Sequence, residues 1–458
     1  MARTPTATIE LLTLRLQAQG PQTAAELAVA LGVDRSQISR LITRAGRTIE
    51  QLGGARRARY AVRRTIRATG DSWPLHEVGA DGAARELGVL ESFYGGWRIR
   101  WTRFAPGWSR IVADADGWAE GFPFFLSDLR PQGFVGRAIA RRVSAVLSLP
   151  EDPTRWSDDE VLVYLQSEGD DLTGNLVVGD QPTRRTLARR MNPPSVTARS
   201  EYPALVMAAL TGGIPGSSAA GERPKFLTWV ADDAGARAVL VKFSPPMDTP
   251  AGRRWADLLA AEAIAARVLA EHGESVPGVM CVDLEGRRYL EVPRFDRIGA
   301  AGRRGVISLA ALQGTEGAID TTDWVAATEH FRAEDVVTAD AATAVRRRRA
   351  FGELIGNSDM HPGNLGFYLD DTLPLRLAPA YDMLPMLWAP VAGGEIVARD
   401  FAPLPPVARQ VGDWSVAAGW AGTFWQEVAG DARISREFAE IAQRAAETVA
   451  KLRAEWAV

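Results

Sequence analysis

Gly356-Asn357-Ser358-Asp359-Met360-His361-Pro362-Gly363-Asn364, followed downstream by Tyr381-Asp382, is the stretch on which the reading of this chain turns. An Asp, an Asn five positions later and a second Asp after a short strand-like stretch are the minimal parts for Mg-assisted phosphoryl transfer. Asp359 can take a proton from an attacking hydroxyl. Asn364 and Asp382 offer hard oxygen ligands to Mg2+ bound to ATP.

The Asp-x-x-x-x-Asn spacing is also that of protein-kinase catalytic loops. Lysine usage points the same way. Of 53 Lys plus Arg, only Lys225, Lys242 and Lys451 are lysines. Lys is a compact point charge suited to a phosphate oxygen in a tight cleft, whereas Arg is a wide planar fork. Lys225 closes the small-residue loop Gly216-Ser217-Ser218-Ala219-Ala220-Gly221-Glu222-Arg223-Pro224, whose backbone could approach phosphates closely. Lys242 ends the strand-like run Ala238-Val239-Leu240-Val241. Either one alone could be an ordinary surface lysine. Together with the Asp/Asn loop they read as phosphate ligands.

At 458 residues, with 46% hydrophobic and 24% charged residues, the chain should fold as two or three globular units. One cysteine, Cys281, excludes an internal disulfide framework, and the four histidines lack zinc-ligand spacing. The start of the sequence has no basic-then-apolar signal pattern and no apolar run of about 18 residues occurs, so a cytoplasmic location is expected. Net charge is −3 but uneven: residues 1–70 carry 12 Arg against four Asp/Glu, and the remainder 41 cations against 52 anions. A basic head on an acidic body suggests a nucleic-acid-binding module fused to something else.

In the head, Ile9 to Gln19 reads as a helix. Thr23-Ala-Ala-Glu26 is a capping box opening a second helix to about Leu31. Gly32-Val33 is a tight turn, and Asp34 or Ser36 caps a third helix to about Arg44. Arg35, Ser36, Gln37, Ser39 and Arg40 lie where helix-turn-helix proteins meet base edges. Arg56, Arg57 and Arg59 stud a wing-like hairpin suited to backbone phosphates. Farther on, the rings between residues 97 and 156 should fill a core or a domain interface rather than bind a ligand. Trp255 to Leu269 has a helical period with Glu262 mid-helix, able to aim at Lys242. Arg288 to Arg297 reads as a strand and connector, and Arg346 to Arg349 as a solvated or ion-paired helix face rather than a docking site for an acidic or nucleic-acid-bearing substrate.

These pieces resemble the HipA family of bacterial serine/threonine kinases, toxins of type II toxin–antitoxin systems. The resemblance covers roughly residues 75–450. It rests on the Ser218-to-Lys225 loop, Val241-Lys242, the Glu262 helix, Val292-Pro293-Arg294-Phe295-Asp296-Arg297, the Asp359 loop and Tyr381-Asp382. The fused head resembles the YjjJ-like branch, which carries its own DNA-binding domain. The resemblance implies Asp359 as catalytic base, Asn364 and Asp382 as Mg2+ ligands, and Lys242 and Lys225 as ligands of ATP phosphates. Ala220, Gly221, Glu222, Arg223 and Pro224 would cover those phosphates. Pro293, Arg294 and Phe295 would form the adenine hinge, with His361 and Tyr381 also against the nucleotide. Ser218, or the adjacent Ser217, would be the autophosphorylated serine. The implied partners are an aminoacyl-tRNA synthetase as protein substrate, DNA, a possible antitoxin and a possible homodimer.

The expected fold is α+β: a winged helix-turn-helix over 1–70, a kinase-like N-terminal lobe over 71–297 and a mostly helical C-terminal lobe over 298–458. Two other readings stay open: a transcription regulator whose kinase-like body only senses nucleotide, and a small-molecule phosphotransferase.

Overall fold

Alternating short helices and strands open the chain. In the computed structural model, which describes residues 7–54, 58–111, 116–211, 223–232, 235–315 and 318–456, the head consists of α1 (Ile9–Gln19), β1 (Gln22–Thr23), α2 (Ala24–Leu31), α3 (Arg35–Ala45), β2 (Ile49–Leu52) and β3 (Arg59–Val62). The strands form an antiparallel sheet ordered β1-β3-β2. The capping box forms: Thr23 Oγ1 accepts from the Glu26 N–H at 3.3 Å, and Glu26 Oε2 accepts from the Thr23 N–H at 2.7 Å. Gly32 takes the left-handed conformation at φ 64°, which glycine adopts without strain, and turns the chain into α3. Asp34 caps α3, accepting from the Gln37 N–H at 2.7 Å. Leu12, Leu16, Leu27, Ile38 and Leu41 fill the small core.

The head is fastened to the body of the protein at its first sheet. Arg64 N donates to Ser92 O and Tyr94 N to Val62 O, both at 3.0 Å. Gly95 faces Gly20 so closely that a Cβ on Gly95 would lie 2.7 Å from the Gly20 Cα.

That sheet is five-stranded and antiparallel, ordered β7-β6-β5-β4-β8. It is built from β4 (Ser72–Val78), β5 (Ala84–Phe93), β6 (Gly96–Trp101), β7 (Trp118–Ala119) and β8 (Leu176–Val178), accompanied by α4 (Gly133–Leu147), α5 (Asp158–Glu168) and α6 (Asp180–Ala188). After α7 (Tyr202–Leu210) comes a four-stranded sheet ordered β11-β12-β10-β9. Its strands are β9 (Lys225–Asp232), β10 (Gly235–Phe243), β11 (Met280–Leu284) and β12 (Arg287–Pro293), with the long α8 (Pro250–Glu271) between β10 and β11. The remainder is β13 (Arg297–Ile298), β14 (Gly302–Arg303), β15 (Val306–Ser308), α9 (Leu309–Leu312), α10 (Trp324–Ala333), α11 (Ala339–Leu354), β16 (Gly366–Tyr368), α12 (Val411–Gly430) and α13 (Arg436–Trp456).

Three hydrophobic cores hold these layers. The first joins the rings of the five-stranded sheet and its cover, among them Trp97, Trp108, Phe125 and Trp156, to Ile307, Trp324, Phe367 and Leu375. The second packs α8 against α11, α12 and α13 through Leu258, Phe351, Phe424 and Trp425. The third, around Tyr202, Phe226, Val241 and Tyr289, sits under the four-stranded sheet. The Arg346–Arg349 run is ion-paired. Arg346 and Arg347 pair with Asp413, and Arg348 is buried against Glu274. Among the described residues no helix is long and apolar enough to cross a membrane.

Candidate active site

The register of the four-stranded sheet sets Lys225 of β9 directly opposite Lys242 of β10. Like charges facing each other across a sheet repel, and these two are buried at 3% and 9% exposure. The position is tolerable only because anions converge on it. Glu262, from the middle of α8, accepts from Lys242 Nζ at 2.6 Å, and Asp382 binds the same ammonium.

Burial alone would lower the Lys242 pKa, but the carboxylates of Asp382 and Glu262 more than offset it and hold the ammonium above its ordinary value. Burial likewise favours the neutral Asp382, yet Lys242 and Lys225 keep its carboxyl below the usual range. Glu262 goes the other way: burial raises it, Lys242 only partly compensates, and Asp382 adds repulsion. Among the described residues its Oε2 is buried without a hydrogen-bond partner. Asp382 itself sits at φ +55°, a left-handed conformation that Asp tolerates better than most residues.

Two cavities meet at this cluster. Lys225, Lys242 and Asp382 line both. The larger, about 500 Å³, is walled by Leu227, Leu240 and the Val292–Phe295 connector on one side, and by His361, Asn364 and Tyr381 on the other. The smaller, about 370 Å³, is lined by Glu262, by Asp359 and by a mostly apolar wall.

The loop after α11 is braced from several directions. Asn357 accepts from the Asp359 N–H at 3.1 Å and donates to the Asp382 carbonyl at 3.0 Å, so one buried amide ties the two acidic residues together. Asn364 Nδ2 donates to the Asp359 carbonyl at 2.8 Å, leaving its side-chain oxygen as the acceptor of that group. Trp324 Nε1 donates to the His361 carbonyl at 3.0 Å, and Tyr381 Oη to the Gly363 carbonyl at 3.0 Å. The Tyr381 ring stacks on Phe295 with centroids 5.8 Å apart.

Comparison with known proteins fits this arrangement. Residues 69–187 match the YjjJ-like toxin middle domain, and residues 217–456 the HipA-like C-terminal domain. The chain is 37% identical over 442 residues to Toxin YjjJ of Escherichia coli (strain K12), spanning 95% of this chain and 96% of that one. It belongs to the HipA family, in the YjjJ-like toxin branch. Among solved structures, HipA of Shewanella oneidensis MR-1, from a complex with HipB and its operator DNA, aligns at a TM-score of 0.53 and 16% identity. That alignment covers 84% of this chain and 97% of the other, and speaks to the fold.

In this YjjJ-like chain the structure brings together Lys225, Lys242, Asp359 and Asp382 around the smaller cavity, and Asn364, His361, Tyr381, Pro293, Arg294 and Phe295 around the larger. Arg223 and Pro224 line the smaller cavity. Ser217, Ser218, Ala220, Gly221 and Glu222 lie outside the described residues, as do Arg56 and Arg57. Arg294 lines the cavity with its polar groups engaged elsewhere: its N–H goes to Ala238 O, and its guanidinium to Asp296 and Leu172 O. In the head, Arg35, Ser36, Ser39 and Arg40 are exposed along α3 and Gln37 partly so. Arg59 instead lies over the Trp118 ring of the body, 5.7 Å from its centroid. Sequence reasoning gave no role to Asn357 or Trp324; Asn357 stood inside the decisive motif, whereas Trp324 gave no local signal.

Proposed function

We propose that this chain is an ATP- and Mg-dependent serine/threonine protein kinase that arrests growth, with a DNA-binding head. The observation that carries the reading is the buried rung of two lysines facing Glu262 and Asp382, with Asp359 on one side of it and a nucleotide-sized cavity on the other. Adenine would lie along Val292–Phe295, and the phosphates would reach the two ammoniums. Lys225 and Lys242 then neutralise charge on the terminal phosphoryl group in a water-poor site, where such contacts are strongest.

Mg2+ fits the donors present. Asn364 through its side-chain oxygen and Asp382 through a carboxylate oxygen would hold it, the remaining positions falling to water and phosphate as this ion prefers. Its charge, when bound, offsets the phosphate oxygens. Asp359 orients the acceptor hydroxyl and takes its proton. The hydroxyl oxygen bonds to the terminal phosphorus as the bridging bond breaks, and ADP leaves. The family supports an aminoacyl-tRNA synthetase as acceptor and autophosphorylation at Ser218 or Ser217.

The exposed face of α3 (Arg35, Ser36, Gln37, Ser39 and Arg40), with the β2–β3 hairpin as a wing, supports operator binding in a winged helix-turn-helix manner. The Shewanella HipA complex with operator DNA favours the same direction. A promoter fragment from upstream of the chain's own gene should bind, and Arg35→Ala with Arg40→Ala should weaken binding and flatten its salt dependence.

Transfer of labelled phosphate from ATP to protein tests the enzymatic core. Asp359→Asn should lower it by about 10²–10⁴-fold. Full transfer by that variant would refute the assignment.

A further inference from the structure

The partition of residues between the two cavities says more than that both are present. Asn364, His361 and the Val292–Phe295 connector line only the larger, whereas Asp359 and Glu262 line only the smaller. A nucleotide seated in the larger cavity presents its terminal phosphate at the shared wall of Lys225, Lys242 and Asp382. The acceptor hydroxyl must come from the side where Asp359 stands.

That side is mostly apolar, with Arg223 and Arg287 at its margin. Trp255 and Leu259 of α8, Pro246 after β10, and Leu384 and Met386 after Asp382 line it. Trp255, Leu259 and Glu262 fall at helical spacing on one face of α8, so the helix that aims Glu262 at Lys242 also faces the cavity with an indole and a leucine. Arg223 lies over the Trp255 ring, 3.9 Å from its centroid, and steadies that wall. A volume of about 370 Å³ is ample for one large aliphatic or aromatic side chain beside the hydroxyl.

We infer that the smaller cavity is the acceptor pocket, and that it selects a protein segment in which a bulky apolar residue stands next to the phosphorylated serine or threonine. This rests on the kinase reading above and adds the chemistry of the acceptor.

Phosphosites that appear in cells expressing wild type but not Asp359→Asn identify the acceptor, and peptides made from that site carry the test. Replacing the apolar neighbour of the hydroxyl by Gly should lower kcat/KM about tenfold or more, mainly through KM, with KM for ATP unchanged. In Trp255→Ala the two peptides should become nearly equivalent. Met386→Ala, from the other wall, repeats the measurement should Trp255→Ala fail to fold. Wild type treating both peptides alike overturns the inference and leaves the kinase reading intact. So does an Asp359-dependent acceptor without an apolar neighbour, or one that is a small molecule. No Asp359-dependent phosphorylation of any acceptor would defeat the kinase reading itself, and the acceptor pocket with it.

Discussion

Lys242, Glu262 and Asp382 where the two cavities meet, and Asp171, Arg294, Asp296 and Arg297 near the connector end of the larger one, are made from the same kinds of side chain and are both largely buried. They differ in how completely the charges are matched. Near the connector, Arg297 donates to Asp171 at 2.9 Å and to Asp296 at 2.7 Å; Arg294 reaches Asp296 at 2.8 Å. The Gly174 N–H adds another bond to Asp296 at 2.8 Å. Burial opposes ionisation of Asp296, but Arg294 and Arg297 outweigh it and bring its pKa down to about 2; Asp171 is likewise held below the usual carboxylate range. The loose end there is Arg303, whose Nη1 has no partner among the described residues and whose guanidinium burial and Arg297 push down to about 9. At the other end the mismatch is central: Glu262 keeps an unpartnered oxygen and a raised pKa, and Asp382 holds a left-handed backbone. Matched charges weld the middle of the chain to the connector. Mismatched charges mark the place where a ligand would complete the set.

The largest effect that could break this contrast is on activity at the mismatched end. Lys242→Met should lower phosphate transfer by about 10²–10³-fold. Its stability should change less than in a variant of the welded cluster, because burial and Asp382 already work against the charge on Glu262. Labelled-ATP transfer and urea unfolding of one preparation decide the matter, and undiminished transfer would erase the distinction.

Next comes stability at the welded end. Asp296→Asn leaves Arg294 and Arg297 undercompensated and should cost about 3–5 kcal/mol, read from the urea midpoint. A loss below about 1 kcal/mol would show that the cluster is not a weld.

A smaller effect is the acid limb. The folded pKa of Asp296 lies below its unfolded value of about 3.9. Its contribution is therefore fully present above about pH 4 and lost as pH falls through about 2. It amounts to roughly 2–3 kcal/mol. The stability of wild type should fall more steeply across that window than that of Asp296→Asn.

The smallest effect supplies the scale. Arg349 pairs with Glu353 one helical turn away at 2.8 Å, with both side chains partly in water. Arg349→Ala should change stability by no more than about 0.5 kcal/mol, by the same urea assay.

How much of this could be read beforehand depends on where each signal resides. The capping box at Thr23, the period of α8 and the spacing from Asp359 to Asn364 are local, and they survive in the structure unchanged. The facing of Lys225 and Lys242 was not legible, because strand register depends on the connection between β9 and β10. The core that joins residues 66–178 to residues 307–375 left no trace either, since contacts so distant in sequence impose no period on either segment. Glu262 was visible as a helix position, but its aim depended on how α8 lies over the sheet. The Arg346–Arg349 run was legible as an ion-paired face, but not in which member is buried: successive helical positions turn by about 100°, so one of four consecutive arginines can reach a buried glutamate while its neighbours stay nearer the surface.

The lysine rung also bears on how this gene can change. The two lysine codons are a single base from two of the six arginine codons, and the chain uses arginine for 50 of its 53 lysine and arginine positions. Lys451, exposed on the final helix, could drift the same way unnoticed. On the rung it could not: a guanidinium in place of either ammonium would crowd the gap between the two cavities, so an exchange that the rest of the surface would absorb is closed at these two codons.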